Sequence, residues 1–187
     1  MHFPESAASE AERSKFESDV AFIGGCDNDR APIFLALLKA IPKLNLALYG
    51  GQWNRWPSLR RYWRGFATGR EFRLAVSGAK IAVNLVRRAN RDDHVMRSFE
   101  LPACGAFMLA ERTAMHDKLL PPEANVDYFG STDELIGKVR YHLAQQRQAN
   151  SPRLGLSEVL QGHTYTRRLI EFLSLATGSK QIVSHRQ

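Results

Sequence analysis

At 187 residues, 44% hydrophobic and 24% charged, the chain has the balance of a globular protein of one domain with appendages, which excludes a disordered or low-complexity chain. A net charge of +7 points to an anionic partner: a nucleotide phosphate, nucleic acid or anionic lipid. No apolar run is long enough to span a bilayer, and the polar opening MHFPESAASEAERSKFESD lacks the apolar core of a signal peptide, so a cytoplasmic location is expected.

In chain order, residues 1–18 read as a leader or linker. VAFIGG, Val20 to Gly25, is a short β-rich run ending in glycines. RAPIFLALLKAI carries helical periodicity, with Pro32 suited to a first turn and Pro42 as its stop. LNLALYGG, Leu44 to Gly51, is a second strand that again ends in two glycines, followed by a basic aromatic loop and helix to Gly69 and a short helical piece, EFRLAVSGA. KIAVNLVR, Lys80 to Arg87, is a third strand. RANRDDH is a polar loop, and a helix over Met96–Ala103 follows, with Pro102 in its last turn. AFMLAER, Ala106 to Arg112, and VDYF, Val126 to Phe129, are further strands. Ser131 and Glu134 have capping-box spacing and open a helix through Leu143. Helices are expected over Ser151–Gln161 and Thr164–Leu175, leaving 178–187 as a flexible tail and 19–177 as one domain.

Strands alternating with helices, at spacings too long for hairpins, indicate an α/β fold: a Rossmann-like parallel sheet with helices on both faces. In such sheets ligands bind beyond the carboxyl ends of the strands. Gly24 and Gly25, Gly50 and Gly51, and the loop from Arg87 to Arg97 lie there. Glycines let a phosphate approach the backbone, although GGCDNDR is neither GxGxxG nor a P-loop and also fits an ordinary strand-ending turn.

The charge is uneven. Gln52 to Arg73 holds six arginines and one glutamate, interleaved with aromatics. Such a patch suits nucleic acid, with arginines on phosphate and aromatics on bases; the alternative is an amphipathic helix with aromatics inward and arginines solvated. Cys26 and Cys104 form no metal-spaced cluster and are expected as reduced thiols. The six histidines include no HExxH pair, so neither a metal nor another cofactor is expected.

The run MRSFELPACGAFMLAERT carries one acid before its turn, Glu100, inside an otherwise apolar stretch, and Asp92 stands eight residues earlier. A carboxylate there needs donors, so the pair is a candidate for ligand hydroxyls; the alternative for Glu100 is a capping or ion-pair residue. This run, followed by VDYFGSTDELIGKVRYHL and HTYTRRL, resembles the C-terminal, donor-binding half of GT-B glycosyltransferases, in particular the bacterial spore-maturation-type branch. DVAFIGG, ALYGGQW and KIAVNLV match that branch in order, and the resemblance spans about residues 19–175.

The resemblance implies an E-x7-E element that handles a nucleotide-diphosphate sugar. Glu100 falls on the ribose-binding acid. Asp92, one methylene shorter than the usual residue and flanked by Asp93, falls on the acid near the sugar. Arg97 is placed for diphosphate oxygens, and the Gly24–Arg30 turn faces the diphosphate with Arg30 as its one cation. Asn84, His94 and Ser98 complete the implied donor-binding set with Gly24 and Gly25. No catalytic residue is assigned, because such an enzyme has a second, N-terminal domain that supplies the acceptor. The donor site is therefore expected to stand open, with Asp92, His94 and Trp53 at its rim, and this chain alone is not expected to transfer sugar. The alternative function is a non-catalytic Rossmann-like module binding RNA or a protein through 52–73; contact of that segment with a membrane surface is a third.

Overall fold

The computed structural model describes residues 3–120, 125–145 and 162–177. In chain order the elements are α1 (Glu10–Phe16), β1 (Ser18–Ile23), α2 (Arg30–Ala40), β2 (Leu46–Tyr49), α3 (Pro57–Arg60), α4 (Gly69–Ser77) and β3 (Ala79–Asn84). They continue with α5 (Arg97–Ala103), β4 (Met108–Glu111), α6 (Ala114–Leu119), β5 (Val126–Phe129), α7 (Thr132–Ala144) and α8 (Tyr165–Thr177). The five strands form one sheet in the order β2-β1-β3-β4-β5. Every pairing is parallel.

Period-two alternation splits each strand between two cores. Ala21, Ile23, Ala82, Met108 and Ala110 face α4 and α5, packing with Phe72, Leu74 and Leu101. Val20, Phe22, Ile81, Val83 and Leu109 face α2 and α7, packing with Phe34, Leu37, Leu135 and Val139. Both faces are thus apolar, which is why the strands read as continuous hydrophobic runs. The paired strands are shorter than the runs. Leu44, Leu85, Val86 and Ala106 are buried yet lie outside the strand spans, because apolar residues stay inside as the chain turns into a loop. Ser131 accepts from the Glu134 N–H at 3.2 Å, and the Glu134 carboxylate returns to the Gly130 N–H, so the expected cap starts α7.

The stretch expected as a leader holds structure of its own. Ser9 caps α1, Phe16 is buried, Glu5 pairs with Arg73 and Glu12 with Arg70. Nor is 52–73 one amphipathic helix. Trp53–Arg55 is a 3-10 turn, α3 is a single turn opened by Pro57, Trp63 bridges to Leu48, and positive φ is taken by Gly65 and by Gly69, the first residue of α4. The helix expected over 151–161 lies outside the described residues, as does the tail.

Candidate functional site

Strand order reverses between β1 and β3, and an open α/β sheet has its crevice at that switch point. A cleft of about 450 Å³ opens there. Ile23 and Gly24 line it from the end of β1, Asn84 from the end of β3, Arg30 from the start of α2, and Asp92, His94 and Arg97 from the loop into α5.

The β1 wall is built by close backbone contact. Gly50 has φ +115°, and a Cβ there would stand 2.5 Å from the Gly24 carbonyl oxygen. Only glycine allows the two turns to meet this way. Two tryptophans then hold the turns: the Trp53 indole N–H donates to the Gly24 carbonyl at 2.9 Å, and the Trp63 indole N–H to the Gly50 carbonyl at 2.8 Å. Trp53 is fully buried, edge-on to Phe22 and Phe34. It is not at the rim, contrary to expectation, because its indole N–H finds its partner inside the sheet's end.

The turn itself carries an internal anion. Asp27 Oδ1 accepts the N–H groups of Asp29 (3.1 Å) and Arg30 (2.9 Å), which open α2. Arg30 donates from Nη1 to the Gly25 carbonyl at 2.9 Å, while its Nε is buried without a hydrogen bond and lies 3.8 Å from Asp27 Oδ2. Burial pulls this guanidinium below its ordinary pKa, and Asp27 opposes that shift.

On the other side, Arg97 donates from Nε to the Ile23 carbonyl at 3.2 Å, lies over the Phe72 ring and pairs with Glu100. Glu100 stands behind Arg97 and is not among the residues lining the cleft; its carboxylate is largely shielded, with 12% of the side chain exposed. Asp92 accepts from the Asn90 side chain at 3.4 Å, and His94 is exposed, edge-on to Phe99.

Ser98 lies in the interior. Its hydroxyl accepts from Asn84 Nδ2 (3.0 Å) and from the Val95 N–H (3.1 Å) and lies 2.8 Å from His116 Nε2. With no exposure and three partners it has no capacity left for a ligand, so the donor-binding role expected of Ser98 does not follow from its position. Gly24, Arg30, Asn84, Asp92, His94 and Arg97 therefore come together at the cleft, Gly25 lies in its turn, and Glu100 and Ser98 stand behind it. Sequence reasoning missed Asp27 and His116. Asp27 precedes α2 by three residues, a capping offset, and His116 follows Thr113 by three, the N-cap spacing that starts α6.

Half of the basic segment's six arginines are engaged elsewhere in the fold, while Arg55, Arg60 and Arg61 stay exposed. Arg64 donates to the carbonyls of Lys15 and Glu17 and to Asn45 Oδ1. Arg70 binds Glu12 and Glu5, and Arg73 binds Glu5 and covers Phe3. Burial pushes the Cys26 thiol up to about 11 and the Cys104 thiol up to about 12, so neither is a nucleophile at neutral pH. Among the described residues no cluster of three or more His, Cys, Asp or Glu could hold a metal ion, and no helix is long and apolar enough to cross a membrane.

Solved structures share this architecture at low identity. Sucrose-phosphate synthase from Thermosynechococcus elongatus superimposes with a TM-score of 0.70 at 15% identity, over 95% of this chain and 49% of that one. A GtfA/B complex gives 0.57 at 12% identity, over 87% and 36%. A Listeria monocytogenes protein described as a UDP-N-acetylglucosamine 2-epimerase gives 0.52 at 10% identity, over 96% and 50%. The chain thus spans about half the length of these structures or less, and its fold is one half of a GT-B fold. No curated protein matches it in sequence. A family model described as glycosyl transferase-like matches residues 30–174, most of the chain, and the protein belongs to that family.

Proposed function

We propose that this domain holds a nucleotide-diphosphate sugar in the β1/β3 cleft, for transfer to an acceptor bound by a second domain of the same or another chain. The observation that carries the reading is the pair Arg30 and Arg97, reaching one cleft at the switch point from opposite walls. Arg30 supplies a buried N–H without a hydrogen bond, and a diphosphate oxygen is the acceptor such a group lacks. Fixed guanidinium groups there would stabilise the charge that develops on the diphosphate as the sugar–phosphate bond breaks. Asp92 and His94, on the more exposed loop, are the candidates for sugar hydroxyls.

Glu100 takes the ribose role in this reading only by sharing its carboxylate with Arg97, which makes the two residues one unit. The nearer partner orients the acid, and the acid holds the guanidinium toward the β1 end. In this reading an acceptor site and catalytic base belong to that second domain, so residues 1–187 by themselves should bind donor and turn nothing over. No metal or other cofactor is needed in this reading, the arginines supplying the positive charge.

The test is a thermal-shift panel of UDP-, GDP-, ADP- and TDP-sugars. A ligand at about a hundred times its dissociation constant stabilises the fold by roughly 2.7 kcal/mol. A shift for one base, lost in Arg30→Gln, supports the reading. No shift with any member of the panel at millimolar concentration would overturn it.

A further inference from the structure

His116 is fully buried on α6, outside the cleft, yet it reaches the cleft wall through one hydroxyl. Its Nδ1 lies 2.7 Å from the Glu111 carbonyl oxygen, which can only accept. The ring proton must therefore sit on Nδ1, leaving Nε2 as an acceptor. The Ser98 hydroxyl, 2.8 Å away, donates to Nε2, and its lone pairs are then turned toward the Asn84 amide and the Val95 N–H. Val95 and Asn84 both line the cleft. A second tie runs in parallel: the Thr113 hydroxyl, which caps α6 by accepting the His116 N–H at 3.0 Å, donates to the Asp93 carbonyl. One short helix thus grips the loop 92–95 at two points, and that loop carries Asp92 and His94.

We propose that His116 is a positioning residue of the cleft: as a neutral imidazole protonated on Nδ1, it orients the Ser98 hydroxyl and so fixes the loop bearing Asp92 and His94 against the end of β3. This assignment rests on the donor-binding reading only for its effect on ligand. The hydrogen-bond chain holds without one. His116, Ser98 and Asn84 are each more than nine-tenths buried, so no water replaces a lost partner among them cheaply.

Three variants separate positioning from bulk packing. His116→Phe keeps a flat ring and leaves Ser98 without an acceptor. His116→Gln restores an acceptor amide near the Nε2 position. Ser98→Ala deletes the hydroxyl in the smallest way, should the ring variants fail to fold. In the wild-type protein without ligand, imidazole ¹⁵N shifts should report an unprotonated Nε2. Exchange of the Val95 amide should quicken about tenfold in His116→Phe and in Ser98→Ala, and return toward wild type in His116→Gln. UDP and GDP affinities should follow the same order, falling about tenfold and recovering with Gln. Unchanged Val95 exchange in folded His116→Phe and Ser98→Ala proteins, or a proton on Nε2, would overturn the positioning role even if UDP binds normally. Failure of UDP, GDP, ADP and TDP alike to bind wild type, with the exchange pattern as stated, would instead sink the donor reading and leave the positioning role standing.

Discussion

Two sets of arginines in this molecule have opposite fates. Arg64, Arg70 and Arg73 belong to the segment with the largest net positive charge, yet each is bound by a carboxylate or carbonyl of the N-terminal stretch. Arg30 and Arg97 lie outside that segment, Arg97 at the end of a stretch of mixed charge, RRANRDDHVMR, and they meet at the cleft. The aromatics divide likewise: Trp53 is fully buried as a donor to the Gly24 turn, whereas Phe66 of the same segment is exposed. Charge density along a chain reports how many cations there are. Which of them remain available depends on the carboxylates that folding brings beside them.

The sharpest way to break this contrast is to remove a tryptophan. Trp53→Ala should cost about 3–5 kcal/mol of stability, as loss of a fully buried large ring does, whereas Trp53→Phe should cost about 1–3 kcal/mol, mainly through the orphaned Gly24 carbonyl. Denaturant unfolding measures both. If Trp53→Phe cost nothing, the indole N–H would be irrelevant and the turn lock an accident of packing.

Next come the arginines. Arg97→Lys keeps charge but loses the fork, so nucleoside diphosphate binding should weaken by about 1–3 kcal/mol and nucleoside binding less. Arg73→Gln should lower stability by up to about 1 kcal/mol and Arg70→Gln by less, and both should leave nucleotide affinity where it was. A calorimetric titration in which the Arg70 and Arg73 variants lost as much affinity as Arg97→Lys would erase the distinction between the two sets.

A smaller effect of opposite sign is expected at Asp27. Asp27→Asn retains the oxygen that caps α2 but removes the negative charge beside Arg30. Nucleoside diphosphate affinity should rise by roughly 0.5–1 kcal/mol, with nucleoside affinity unmoved. Weaker diphosphate binding in this variant would mean that Asp27 serves the ligand and does not compete with it.

The last effect is one of pH. The Arg70 guanidinium and the Ala8 N–H hold the Glu12 carboxyl down to about 2 from an ordinary 4.5. A carboxyl lowered on folding contributes stability above its unfolded value, and that contribution is lost as pH falls from about 4.5 toward 2. Protection of the α1 amides should therefore fade through this window, and should start lower and change less in Arg70→Gln. A profile that is flat in both proteins would show that the pair does not hold α1.

How far the sequence foretold this depends on the range of each interaction. VDYF matches β5 residue for residue, and the other strands were legible because each is an apolar run bounded by loop residues. The cleft's position followed from the parallel sheet. What could not be read was partnership across distance. The Trp53 donor and the Gly24 acceptor are 29 residues apart, and Ser98 and His116 are 18 apart. A serine one residue after Arg97 looks like a ligand contact until the histidine that claims it is in place. The pairing of Arg97 with Glu100 was within reach, since acid and base three apart on a helix share a face.

The contact between Gly24 and Gly50 has a consequence for how this protein can change over generations. At that wall backbone rests on backbone, and an added methyl at either glycine has no room: it would stand 2.9 Å from the Phe22 ring at Gly24, and closer still to a carbonyl at Gly50. The wall offers mutation nothing to edit without dislodging two strands. The loop from Asp92 to Met96 is different: its exposed side chains can be exchanged while Ser98 and Thr113 keep its backbone in place. Relatives that accept different sugars should therefore differ on the loop side of the cleft and agree on the glycine side.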